Sequence, residues 1–183
     1  MSATRIPGAV FSSGLDSYET FWRRILARFL DGLVFAPLTL YGHFLLLPGR
    51  GNAVFYAWNF LTISAYWMYC ALMHAQYGQT LGKKAVSVKV IDVSKSRIPS
   101  IEHAFLREVP GIIFSALWLV EFLHYVLATG SGVRGRIAFP SQILNRAWIW
   151  WLVIELGTML ANAKRRAIHD FIAGTVVLRI DGR

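Results

Sequence analysis

The sequence predicts an all-α membrane protein: a bundle of about four transmembrane helices with a short two-stranded β element on the cytoplasmic side. Three observations carry that prediction. Hydrophobic residues make up 55% of the 183 residues and charged residues only 16%, against about 25% charged in a soluble domain. The apolar residues are gathered in long blocks, which suits lipid as the surrounding solvent. Lys and Arg are concentrated in alternate connections between those blocks.

The blocks are Phe29–Leu47, Ala53–Ala75, Gly111–Thr129 and Ala147–Ala163. Asp31, Glu121 and Glu155 are the charges inside the first, third and fourth, and the second has none. Each is close to the roughly 20 residues that cross a hydrocarbon core at about 1.5 Å per residue. A spanning segment must satisfy its own backbone hydrogen bonds, so each is read as a helix. Ser141 after Pro140 is a candidate N-cap that lengthens the fourth.

The connections differ in kind. Pro48-Gly49-Arg50-Gly51 predicts a tight turn, making the first two helices an antiparallel hairpin. Gly130–Arg146 is a longer loop. Residues 76–104 form the largest polar stretch, and Gly78 is placed as the C-cap of the second helix. The β-branched alternation of Val86–Ile91 predicts a strand, and Thr175–Ile180 a second one to pair with it. Ile101–Val109 is expected as a short amphipathic helix on the membrane surface, kinked at Pro110-Gly111 on entering the third span.

Charge sets the orientation. Of 19 Lys and Arg residues, only Arg50, Arg134, Arg136 and Arg146 fall on one side of a four-span chain. The rest flank the first span, fill residues 76–110 and follow the fourth span, which places both termini in the cytoplasm of an inner-membrane protein. Residues 1–20 then form a cytoplasmic segment ahead of a transmembrane domain over 21–183. Trp148, Trp150 and Trp151 are expected as an aromatic belt at the outer face and Trp22 at the inner one. The net charge of +9 is matched to anionic headgroups rather than nucleic acid. A single Cys70 excludes an intrachain disulfide and a multi-cysteine metal framework.

Two stretches are more specific. Phe21-Trp22-Arg23-Arg24-Ile25-Leu26-Ala27-Arg28-Phe29-Leu30-Asp31 opens the first span, and Ala167-Ile168-His169-Asp170-Phe171-Ile172-Ala173-Gly174-Thr175-Val176-Val177 follows the last. Gly78-Gln79-Thr80-Leu81-Gly82-Lys83-Lys84 lies between them. In this order the chain resembles the RDD family of membrane proteins from about residue 20 to 180. By position Arg24 resembles the family's arginine, and Asp31 and Asp170 its two aspartates. The resemblance implies a membrane component, with transport of ions or small ligands suggested for such proteins.

The candidate site residues follow from acids at membrane depth, which are costly and usually functional. Arg24, Arg28 and Asp31 share one helical face, so Arg28 is expected to reach Asp31 one turn away and Arg24 to reach Asp170. Asp31 is then either an ion or proton site or half of an interhelical staple. Glu121, with His124 one turn on, and Glu155 complete an acidic ladder of Asp31, Glu155 and Glu121 across the bilayer, if three helices face one interior. Pro37 frees the carbonyl of Leu33 as a possible cation ligand, though packing alone explains a proline there. Cys70 and His74 are too few to make a metal site, and Gly78–Lys84 lacks the spacing of a phosphate loop.

Two functions stay open. One is a transporter of small cations or protons, working as a homo-oligomer because four helices seldom enclose a path. The other is a non-catalytic membrane factor that binds lipid or another membrane protein. No catalytic signature is present, so neither enzyme chemistry nor a cofactor is expected.

Overall fold

The computed structural model describes residues 18–44, 52–94, 97–129 and 142–180. The turn at 48–51, most of the 130–146 loop, the Ser141 cap and nearly all of the 1–20 segment lie outside the described residues. The elements run α1 (Phe21–Phe44), α2 (Asn52–Tyr77), α3 (Leu81–Ala85), β1 (Val88–Asp92), α4 (Ile101–Thr129), α5 (Gln142–Ala161), α6 (Ile168–Ile172) and β2 (Thr175–Arg179). Among the described residues, α1 and the Ile101–Glu121 part of α4 are long and apolar enough to cross a membrane.

The distribution of polarity is inverted relative to a soluble protein. Arg24, Asp31, His74, Arg107, Glu108 and Glu155 are buried. Phe29, Leu33, Leu40, Val120, Ile143, Ile149 and Leu160 are exposed on the outward faces of the long helices. In water such a surface would be an aggregation liability; in lipid it costs nothing. The buried charges face one another at the end of the bundle that carries the sheet.

Helix packing follows aromatic and small residues. On α1 and α2, Phe35 meets Tyr66 and Tyr69, while Tyr41 meets Trp58. The numbering falls along one helix as it rises along the other, so the two are antiparallel. The α2–α4 pair is antiparallel for the same reason: Trp67 Nε1 donates to Ser115 Oγ at 3.0 Å, and His74 lies against Glu108. Trp67 lies over Gly111, where a Cβ would meet the indole at 2.2 Å.

The two strands pair antiparallel, Val88 opposite Arg179 and Asp92 opposite Thr175. The partnership is as expected, but β1 starts two residues later than Val86. Ser87 takes φ 56° and turns the chain before the strand begins. One sheet face, with Val88, Val90 and Val177, packs on Val86 and on Ala27 of α1. The other, with Ile91, Val176 and Leu178, packs on Tyr18. Gly78 ends α2 at φ +69°, its N–H on His74 O and its carbonyl accepting from Val90 N. The C-cap therefore also docks the sheet.

Two expectations need correction. Ile101–Val109 is not a separate surface helix; it runs unbroken through Pro110 into α4. Ala104, Arg107, Glu108 and Gly111 are buried on one helical stripe, which pulls this segment into the bundle. The Trp148, Trp150 and Trp151 belt is also revised. Trp150 is exposed, but Trp148 and Trp151 turn inward on Phe114. Leu33, one turn before the proline of α1, is exposed and lines neither cavity described below.

Candidate functional site

The site begins with two five-residue helices too short to stand alone. Each is held by a carboxylate from a long helix. In α3, Thr80 is the N-cap and its hydroxyl accepts from Lys83 N. Asp31 of α1 adds a second cap: Oδ1 accepts from Gly82 N at 2.8 Å, and Oδ2 from Thr80 Oγ1 at 2.6 Å. Tyr69 Oη donates to Asp31 Oδ1 at 3.0 Å and accepts from Leu81 N at 2.8 Å. In α6, Glu155 of α5 plays the corresponding part. Its Oε1 accepts from His169 N at 3.1 Å and its Oε2 lies 2.5 Å from His169 Nδ1. Backbone donors orphaned at both helix starts are thus satisfied across the fold.

Asp170 is fully buried and holds four elements together. Arg24 Nη1 donates to Oδ2 at 2.6 Å, and Arg107 Nη1 donates to Oδ1. Ala167 N caps onto Oδ2 at 3.0 Å, and Arg107 also reaches Thr175 Oγ1 at 3.0 Å. Burial opposes ionisation of Asp170, but Arg107, Arg24 and His169 hold its carboxyl well below the usual carboxylate range.

The expected Arg24–Asp170 contact is present; the Arg28–Asp31 contact is not. Asp31 takes its hydrogen bonds from neutral donors, and Arg28 is exposed. The reason is reach in the other direction: α3 packs so closely on α1 that a Cβ on Gly82 would lie 2.1 Å from Ala27 O. The backbone of α3 therefore occupies the carboxylate first.

A cavity of about 400 Å³ opens beside these contacts. Arg24, Arg28 and Asp31 of α1, His74 of α2, Lys83 of α3, Arg107 and Glu108 of α4, Glu155 of α5 and His169 of α6 all line it. Lys83 Nζ lies 2.5 Å from His74 Nε2, and His74 Nδ1 lies 3.2 Å from Glu108 Oε1. Burial, with Arg107 nearby, pushes the Lys83 ammonium down to about 7. Burial and Arg107 also lower His169, against the pull of Asp170 and Glu155. A second cavity of about 440 Å³ shares Tyr66, Trp67, Gly111 and Trp148 with the first, so these residues form a partition between them.

Among the described residues, Asp31, Glu155 and Glu121 do not line one cavity. Glu155 sits at the sheet end, on His169, rather than at mid-span. Glu121 and His124 line neither cavity, and His124 is exposed. Helical periodicity placed each acid on its own helix but not the rotation of one helix against the next. Lys83, Arg107, Glu108 and His169 were missed by sequence reasoning. The signal for Arg107 and Glu108 was the small residues Ala104 and Gly111 on the same stripe, a mark of close packing rather than of a membrane surface.

The model of the RDD family matches residues 18–174, which takes in Arg24, Asp31 and Asp170. The chain belongs to the RDD family. An uncharacterized membrane protein of Bacillus subtilis (strain 168), YteJ, is 30% identical over 141 residues, covering 72% of this chain and 84% of that protein. No solved structure matches the chain. In this RDD protein Arg24 and Asp170 pair directly, while Asp31 caps α3; together they tie α1 to α3 and α6. The chain is a membrane protein, in keeping with its inverted polarity.

Proposed function

We propose that this RDD protein crosses the membrane four times, through α1, α2, α4 and α5, and moves protons or a small cation through the cavity at its sheet end. The outward apolar faces of the long helices support the spans. The concentration of Lys and Arg on the sheet side supports a cytoplasmic position for the sheet and both termini. The observation that carries the transport reading is a pair of titratable contacts lining one cavity: Lys83–His74–Glu108 and Glu155–His169. Titratable groups in contact pass protons in steps, and among these Lys83 is the one held near neutrality, at about 7. The partition of Tyr66, Trp67 and Trp148 then separates the cytoplasmic cavity from the second one, and no catalytic step is involved.

The test is flux in proteoliposomes under pH and sodium gradients. Glu155→Gln and Lys83→Met are each expected to abolish flux while the size-exclusion profile stays that of the parent. A purified protein that carries no proton or cation flux under any gradient overturns the reading. The membrane-factor alternative then gains, since Asp31, Asp170 and Glu155 are all committed to holding short helices in place.

A further inference from the structure

The cavity has a surplus of donors. Two of its acids are already engaged: both oxygens of Asp31 accept hydrogen bonds, as do both of Glu155, while Glu108 Oε1 lies 3.2 Å from His74 Nδ1. Asp170, behind the wall, is saturated by Arg24, Arg107 and Ala167. The cations are not matched in the same way. The Arg24 side chain is only 7% exposed, yet its Nη2 is buried with no hydrogen-bond partner. Lys83 Nζ meets an imidazole nitrogen rather than a carboxylate. Among the described residues no acid pairs with Arg28, one turn from Arg24 on the same wall. A buried guanidinium nitrogen without an acceptor is costly, and clustered Arg and Lys are a usual means of recognising phosphate.

The walls add a second feature. Beside the cations, Phe29 of α1 and Trp151, Leu152 and Leu156 of α5 line the same space. Helix α1 packs on α2 and α3, and α5 on α4 and α6, and both α1 and α5 contribute to the lining of the cavity. The cavity is therefore apolar on one part of its wall and cationic on another.

We propose that this cavity binds a phosphate-bearing anion, held by Arg24, Arg28 and Lys83 with Arg107 behind them. Two sources share that chemistry: the headgroup of an anionic phospholipid entering between α1 and α5, and free inorganic phosphate. The proposal is independent of transport, because binding is read without flux.

The experiment uses the full chain, delipidated in a neutral detergent. Titration with inorganic phosphate is followed by calorimetry. Titration with phosphatidylglycerol, and with zwitterionic phosphatidylcholine as control, is followed by native mass spectrometry. Saturable binding of one anion per chain is expected, weakened about tenfold or more by Arg28→Gln and by Lys83→Gln and retained by Lys83→Arg. Arg28 is exposed, so its variant keeps the fold even if Arg24→Gln, which also loses Asp170, does not. Binding is also expected to draw a proton onto Lys83, read as a calorimetric heat that changes with the ionisation enthalpy of the buffer. Phosphate binding identifies the free ion as a ligand; phosphatidylglycerol binding alone identifies the lipid. Absence of saturable binding by either, or binding indifferent to both substitutions, overturns the proposal.

Discussion

Gly82 gives its backbone N–H to Asp31 Oδ1 at 2.8 Å, across a gap with no room for a side chain at position 82. A Cβ there would meet Ala27 O at 2.1 Å and Asp31 Cγ at 2.9 Å. Gly82→Ala is therefore expected to push α3 off α1 and cost about 1–3 kcal/mol, as overpacking does. Gly157 on α5 is the control, since a Cβ there meets nothing within 4 Å. Gly157→Ala should leave stability unchanged or raise it slightly. Thermal melts in detergent measure both, and a Gly82→Ala protein that melts with the parent refutes the close-approach argument.

Asp31 and Asp170 should not be equivalent. Asp170→Asn leaves Arg24 and Arg107 buried against each other without the charge between them, at a cost of about 3–5 kcal/mol. Asp31→Asn keeps an acceptor for neutral donors and should cost about 1–3 kcal/mol. Arg28→Gln should leave the melting temperature unchanged, because Arg28 is no partner of Asp31. Equal losses for Asp31→Asn and Arg28→Gln in chemical denaturation would restore the direct ion pair.

Stability should rise with pH above neutrality through Lys83. Its folded value is about 7, below the ordinary 10.5, because burial and Arg107 disfavour the ammonium. Between those values the unfolded chain binds the proton that the folded chain has lost, so stability increases across that window. The groups facing Lys83 are His74 and Cys70 of α2, Arg107 and Glu108 of α4 and Asp170 of α6. Melting temperature against pH should climb for the parent and flatten for Lys83→Met. A slope unaffected by that substitution would assign the effect elsewhere.

The proposed four-span arrangement predicts that reporter fusions at positions 95 and 183 report cytoplasm. Fusions at 49 and 133 should report the opposite side. The Lys and Arg distribution motivates the pattern. A non-cytoplasmic signal at 95 would place the sheet outside and overturn it.

The sequence by itself determined the long helices, the membrane as their solvent, the paired strands, the cap at Gly78 and the Arg24–Asp170 contact. Each follows from composition, local periodicity or a resemblance carried by residues in order. The tertiary structure alone decided which way each helix turns. That rotation removed Glu121 and His124 from the cavities and turned Trp148 and Trp151 inward. It also drew Arg107 and Glu108 into the interior and gave Asp31 to the backbone of α3 rather than to Arg28. The physical reason is that helical period fixes neighbours along one helix, whereas contacts between helices depend on close approach. Here that approach is set by the absence of a side chain at Gly82 and Gly111.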